Sequence, residues 1–150
     1  MNGVIKAICI SEQKGTRKHT VPIAVLTKDH GILGDAHAGN WHRQVSLLAN
    51  ESVDKMRAKE VELNAGDFAE NILTEGIDLK SLPVGTQLKI GEAKLEVTQI
   101  GKKCHHDCEI RRLTGECVMP TEGIFTKVIR GGEIRPGDRI LVRGKGYEVD

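Results

Sequence analysis

Apolar and polar residues alternate at period two along Thr86-Gln87-Leu88-Lys89-Ile90 and again along Lys94-Leu95-Glu96-Val97-Thr98-Gln99-Ile100, with Gly91-Glu92 between them. That pattern predicts a β-hairpin with one face on a core and one in water. The logic returns near the C-terminus, where Pro136-Gly137-Asp138 forms a turn signal and Arg139-Ile140-Leu141-Val142 follows as a strand. At the other end, Met1 to Ile10 is a short apolar run interrupted by Lys6 and reads as a first strand. Helical spacing is scarce. Asn50 is a suitable N-cap for a short helix over Glu51 to Lys59, with Val53 and Met56 on one face. A second short helix is predicted from about His106 to Leu113, where Ile110 and Leu113 share a face and Gly115 offers a stop.

Glycine, at 17 residues, recurs between these short apolar runs, the punctuation expected where many strands are joined by tight turns. A mainly β protein follows. With 150 residues and 39% hydrophobic content, the chain reads as one domain over residues 1–150, with about 144–150 as a flexible tail. Lys and Arg total 22 against 21 for Asp and Glu, so no bulk field draws the protein to nucleic acid or to an anionic membrane. Any anion must be caught locally. No stretch reaches the roughly eighteen apolar residues of a membrane span, so a cytoplasmic protein is expected. In that reducing compartment Cys9, Cys104, Cys108 and Cys117 stand as thiols.

Two segments concentrate chemistry. Gly31 to Gln44 holds three glycines, His37, His42, the single tryptophan Trp41, and Arg43. Glycines let a backbone approach a ligand closely, and an arginine grips phosphate through two parallel charge-assisted hydrogen bonds, so this segment is a candidate phosphate clamp. The alternative is structural, with Asp35 holding a turn, Trp41 packing and both histidines satisfied internally. The second segment is Gly101-Lys102-Lys103-Cys104-His105-His106-Asp107-Cys108, followed by Glu116-Cys117-Val118-Met119-Pro120. Lysines beside Cys104 favour thiolate, the form that ligates soft metals or attacks a persulfide. Cys104, Cys108 and Cys117 with His105 or His106 also suit a tetrahedral zinc site, so a zinc-stabilised binding module competes. The nucleotide-binding glycine loops, the H-E-x-x-H zinc motif and the G-x-S-x-G elbow are all missing.

Taken in order, these segments resemble the MOSC family, named for the C-terminal domain of molybdenum cofactor sulfurase. The resemblance runs through Gly34-Asp35-Ala36-His37, His42 to Leu48, Gly66-Asp67-Phe68-Ala69-Glu70-Asn71-Ile72, Leu82-Pro83-Val84-Gly85, Cys104-His105, Cys108, Gly115 to Pro120, Glu122 to Phe125 and Gly137-Asp138. It implies a closed, predominantly antiparallel β-barrel with short helices, of the small stand-alone bacterial type. It also implies a molybdenum or tungsten pterin cofactor, with a cysteine that accepts sulfur or ligates the metal: Cys108 first, then Cys104 and Cys117. Cofactor contacts are expected from Lys18, Gly34, Asp35, His37, His42, Arg43, Ser46 and Asn71. Ala69 stands where some members place an arginine, which favours carriage or handover over permanent binding. The pyridoxal-phosphate domain of fused sulfurases does not fit in this length, so sulfur would come from a persulfide-donating cysteine desulfurase and pass to a molybdoenzyme acceptor. A molybdenum-dependent reductase of N-hydroxylated compounds is the enzymatic alternative.

Overall fold

A computed structural model describes residues 2–14, 17–57, 63–101 and 122–143. Eleven strands are present among them: β1 (Asn2–Ile10), β2 (His19–Val21), β3 (Ala24–Thr27), β4 (Gly31–Ile32), β5 (Val45–Ala49), β6 (Ile72–Glu75), β7 (Gln87–Ile90), β8 (Ala93–Ile100), β9 (Ile124–Arg130), β10 (Gly132–Ile134) and β11 (Arg139–Arg143). One helix, α1 (Asn50–Arg57), and a single 3₁₀ turn at Leu79–Ser81 complete the described elements. The helix begins at the residue expected to cap it. The second expected helix lies outside the described residues.

The strands pair in the order β11-β7-β8-β9-β5-β6-β1, and β11 returns to β1, so seven strands close on themselves. Closure removes the unpaired edges that an open sheet would expose. The seam joins Asn2 to Leu141, Gly3 to Ile140 and Val4 to Arg139. All pairs of the barrel are antiparallel except one: β5 and β6 run parallel, with Leu47 opposite Ile72 and Ala49 opposite Thr74. Strand β2 extends the sheet along the end of β1, and a small second sheet orders β10-β3-β4.

Period two decides which side chains fill the barrel. Val45, Leu47 and Ala49 of β5 join Leu88, Ile90, Leu95, Val97, Ile124, Val128 and Ile140 in the interior. Ala24, Leu26, Ile32 and Ile134 of the small sheet pack into the same cluster. Leu48, pointing the other way, belongs to a second cluster on the outside with Val53 of α1, Leu63, Phe68, Leu73 and Phe125. β5 is therefore buried on both faces, which explains its unbroken apolar run. Ser46 shares the outward face of β5 and lies opposite Phe125 of β9. The predicted hairpin is β7 and β8, paired through Leu88 and Leu95. Its outer face is half-buried, and Lys94 on that face is buried.

Candidate functional site

On the outer face of β5 and β9 a small cleft is lined by His37, Trp41, Arg43, Ser46, Ala69, Asn71 and Phe125. The loop from β4 to β5 supplies the first three, and the loop entering β6 supplies Ala69 and Asn71. The parallel pairing of β5 with β6 brings the two loops together, because it sets both strand entrances at the same end.

Arg43 is half-buried and held on several sides. Its Nε donates to Gln99 Oε1 at 3.1 Å, and the guanidinium carbon lies 5.2 Å from the Phe125 ring centre and 5.9 Å from that of Trp41. These contacts orient the guanidinium without neutralising it. Among the described residues no carboxylate pairs with Arg43. Gln99 is fixed in turn: its Nε2 donates to the Gly101 carbonyl at 2.7 Å, and its Oε1 also accepts from His42 Nε2 at 2.9 Å. Trp41, 38% exposed, donates its Nε1 proton to the His37 carbonyl at 2.8 Å.

Asn71 and Ser46 form the floor. The Asn71 side chain donates to the Cys9 carbonyl at 3.0 Å and accepts from the Ser46 backbone N–H at 3.0 Å, while its own N–H donates to Ser46 Oγ at 3.0 Å. Buried polar groups satisfied this fully fix local geometry, since removing one partner leaves the other stranded. Beneath them the Glu70 carboxylate, fully buried, accepts the N–H groups of Gly66 at 2.8 Å and Phe68 at 3.2 Å. Burial pushes its pKa up to about 7 despite those hydrogen bonds. Cys9, also fully buried, has its thiol raised to about 12, first by burial and then by the nearby Glu70 charge.

Behind the cleft wall Lys18 Nζ lies 2.6 Å from Asp35 Oδ1, both side chains at 0% exposure, and 2.9 Å from His37 Nδ1. Burial pulls the Lys18 ammonium below its usual range, and Asp35 offsets only part of that. Burial also works against the Asp35 carboxylate, but the hydrogen bond and charge of Lys18 outweigh it and hold Asp35 low.

Of the residues expected to contact a cofactor, the structure brings His37, Arg43, Ser46 and Asn71 into one cleft. Lys18 and Asp35 support it from behind. His42 is exposed at its margin against Gln99, and Gly34 sits in an exposed turn with φ of +88°. Phe125 and Gln99 were not expected there. Gln99 stands one residue before the end of an alternating strand and carries no sequence signal of its role, whereas Phe125 belongs to a motif that the resemblance already covers. Cys104, Cys108 and Cys117, with His105 and His106, lie outside the described residues. Among the described residues no three His, Cys, Asp or Glu side chains converge on a common metal position, and no helix is long and apolar enough to cross a membrane.

In its fold the chain is similar to the YuaD protein from Bacillus subtilis, with a TM-score of 0.81 at 20% identity over 99% of this chain and 98% of that one. It is also similar to YiiM from Geobacillus stearothermophilus, at a TM-score of 0.70 and 17% identity over 96% of this chain and 76% of that chain. YiiM from Escherichia coli aligns at a TM-score of 0.67 and 21% identity, covering 99% and 73%. No curated protein matches the sequence. The family model of the MOSC domain matches residues 34–141, from the turn before the cleft loop to the closing strand, and the chain therefore belongs to the MOSC domain family.

Proposed function

We propose that the cleft binds the phosphate end of a molybdenum or tungsten pterin cofactor, and that the protein carries or sulfurates that cofactor during its maturation. The observation that carries this reading is Arg43. Its guanidinium is pinned through Nε and two aromatic rings, lines the cleft, and has no carboxylate partner among the described residues. A guanidinium whose Nη fork makes no hydrogen bond to a described residue matches the paired oxygens of a phosphate. The donor set fits that end of the cofactor. When bound, the cofactor would supply a thiophilic metal centre.

The chain's part in sulfur chemistry falls to Cys108, with Cys104 and Cys117 behind it. A Cys108 thiolate attacks the outer sulfur of a donor persulfide, the donor's S–S bond breaks, a new S–S bond forms on Cys108, and the donor leaves as thiolate. The step is redox-neutral and requires a cysteine desulfurase as donor and a molybdoenzyme as acceptor. Cys9 does not compete, because its buried thiol stays protonated at any physiological pH.

The test is elemental analysis, with pterin fluorescence after oxidation, on protein purified anaerobically from a host that makes the cofactor. Molybdenum or tungsten with pterin near one per chain is expected, falling about tenfold or more in Arg43→Gln through loss of a charge-assisted pair. Zinc alone, or retention of pterin by Arg43→Gln, would overturn the phosphate assignment. Loss of persulfide loading in Cys108→Ser is the matching test of the sulfur step.

A further inference from the structure

Strand β8 carries one residue more than its partner β9 at the edge of the cleft. Val97 stands opposite Thr126 and Gln99 opposite Phe125, so Thr98 is the extra residue of a bulge. In unbroken alternation Thr98 would stand opposite Phe125, and Gln99 would take the inward place opposite Ile124, a residue of the barrel interior. The bulge instead sets Gln99 on the outward face with Phe125. Both side chains then meet the segment that enters β5. The Thr98 hydroxyl reaches the His42 carbonyl, and that of Phe125 at 3.1 Å. Gln99 Oε1 accepts from Arg43 Nε at 3.1 Å and from His42 Nε2 at 2.9 Å, and Gln99 Nε2 donates to the Gly101 carbonyl at 2.7 Å.

The chemistry of the partners settles which way this amide faces. Arg43 Nε can only donate and the Gly101 carbonyl can only accept, so the oxygen must face the arginine and the nitrogen the carbonyl. A carboxylate at this position would accept from Arg43 equally well, but it would also form an ion pair and compete with any anion for the guanidinium. The amide oxygen takes up Nε alone and leaves the positive charge in place. We propose that Gln99, set on the outer face by the bulge at Thr98, is a positioning residue for anion capture, whose neutral amide fixes Arg43 through Nε and leaves the charged Nη fork to a ligand in the cleft. This rests on the reading of the cleft as an anion site.

The experiment uses the full chain and inorganic phosphate at pH 7.5, followed through the fluorescence of Trp41, the single tryptophan, whose ring centre lies 5.9 Å from the Arg43 guanidinium carbon. Gln99→Met and Gln99→Glu both lose the donor to Gly101, so the pair differs only in the group offered to Arg43 and His42. Gln99→Met offers no acceptor and should bind about threefold more weakly than the parent. Gln99→Glu offers an acceptor with a charge and should bind about tenfold more weakly or worse. A glutamine that only tied β8 to the segment entering β5 predicts the opposite order, because the carboxylate restores the contact that methionine lacks. That opposite order, or equal affinities for the two variants, overturns the proposal.

The Nε–H signal of Arg43 in a ¹H–¹⁵N spectrum, assigned by its disappearance in Arg43→Lys, reports the positioning itself without any ligand. In the parent it should exchange slowly with water, and in Gln99→Met it should exchange faster or vanish. Equal protection in the two overturns the hold of Gln99 on Arg43. If Arg43→Gln binds phosphate as well as the parent, or the parent shows no response, the anion reading itself fails and the purpose assigned to Gln99 fails with it, whereas the Nε–H signal decides the contact independently.

Discussion

Glu70 is a carboxylate sealed from solvent that accepts the N–H groups of Gly66 and Phe68 from its own loop. Its pKa near 7, against 4.5 unperturbed, means that between those values the folded protein holds a proton that the unfolded chain has released. Stability therefore falls as pH rises through that window and levels off above 7, by a total of about 3 kcal/mol. Asp35 works with the opposite sign, but its depressed pKa confines that effect to pH values below its usual 3.8. Denaturant titrations of the parent and of Glu70→Gln at pH 5 and pH 7.5 should show the parent losing stability between them while the variant holds nearly level. Equal slopes would mean that Glu70 titrates normally. Cys9 offers a second check at this scale. With its thiol near 12 and no exposure, it should resist alkylation at pH 8 in the native state and react only in denaturant. Mass spectrometry after a native pulse of iodoacetamide should find Cys9 unmodified. Neither burial was legible in the sequence. Glu70 stands in a recognisable motif, but no spacing rule says that its side chain turns back under its own loop.

The loop entering β6 depends on Gly66 for two separable reasons. Its φ is +91°, and a Cβ there would fall 2.0 Å from the Lys18 carbonyl oxygen. Gly91, in the turn between β7 and β8, also has positive φ, at +59°, but a Cβ would meet nothing within 4 Å. Alanine at Gly91 should cost about 1 kcal/mol from backbone strain alone. At Gly66 the same change must also displace the backbone of Lys18, and should cost at least about 3 kcal/mol. Chemical denaturation of the two variants measures the difference, and comparable losses would show that the Lys18 segment yields easily. The contrast also shows which elements a sequence can disclose. The β7–β8 hairpin was legible because alternation and a glycine turn are local signals, and α1 because Asn50 is a cap followed by a spaced apolar face. β5 was harder: five buried residues in succession carry no period, since Leu47 serves the interior and Leu48 the outer cluster. Its parallel pairing with β6, which assembles the cleft, has no local signature at all.

At the scale of the molecule, the first and last described strands close the barrel, with Gly3 opposite Ile140. Strand content and turn spacing made a mainly β protein legible, and the family resemblance implied the closed barrel, but neither gives the strand order, which depends on contacts far apart in sequence. Those contacts make closure a property of the whole chain. Ile140 is fully buried in the same interior cluster as Val45 and Leu47, the inward residues of the strand whose outward face carries Ser46. Ile140→Ala should therefore cost about 2 to 4 kcal/mol through lost burial and the cavity left behind. What distinguishes a single cooperative barrel from a patchwork is where that loss is felt. In native-state hydrogen exchange the amides of β5 and β9, which pair with neither seam strand, should lose protection by the same free energy as those of β1 and β11. A loss confined to β1 and β11 would mean that the cleft stands on a locally stable unit. The cooperative outcome would tie the geometry of Arg43 and Ser46 to a seam that neither touches, because the strands that carry the cleft could open only when the barrel does.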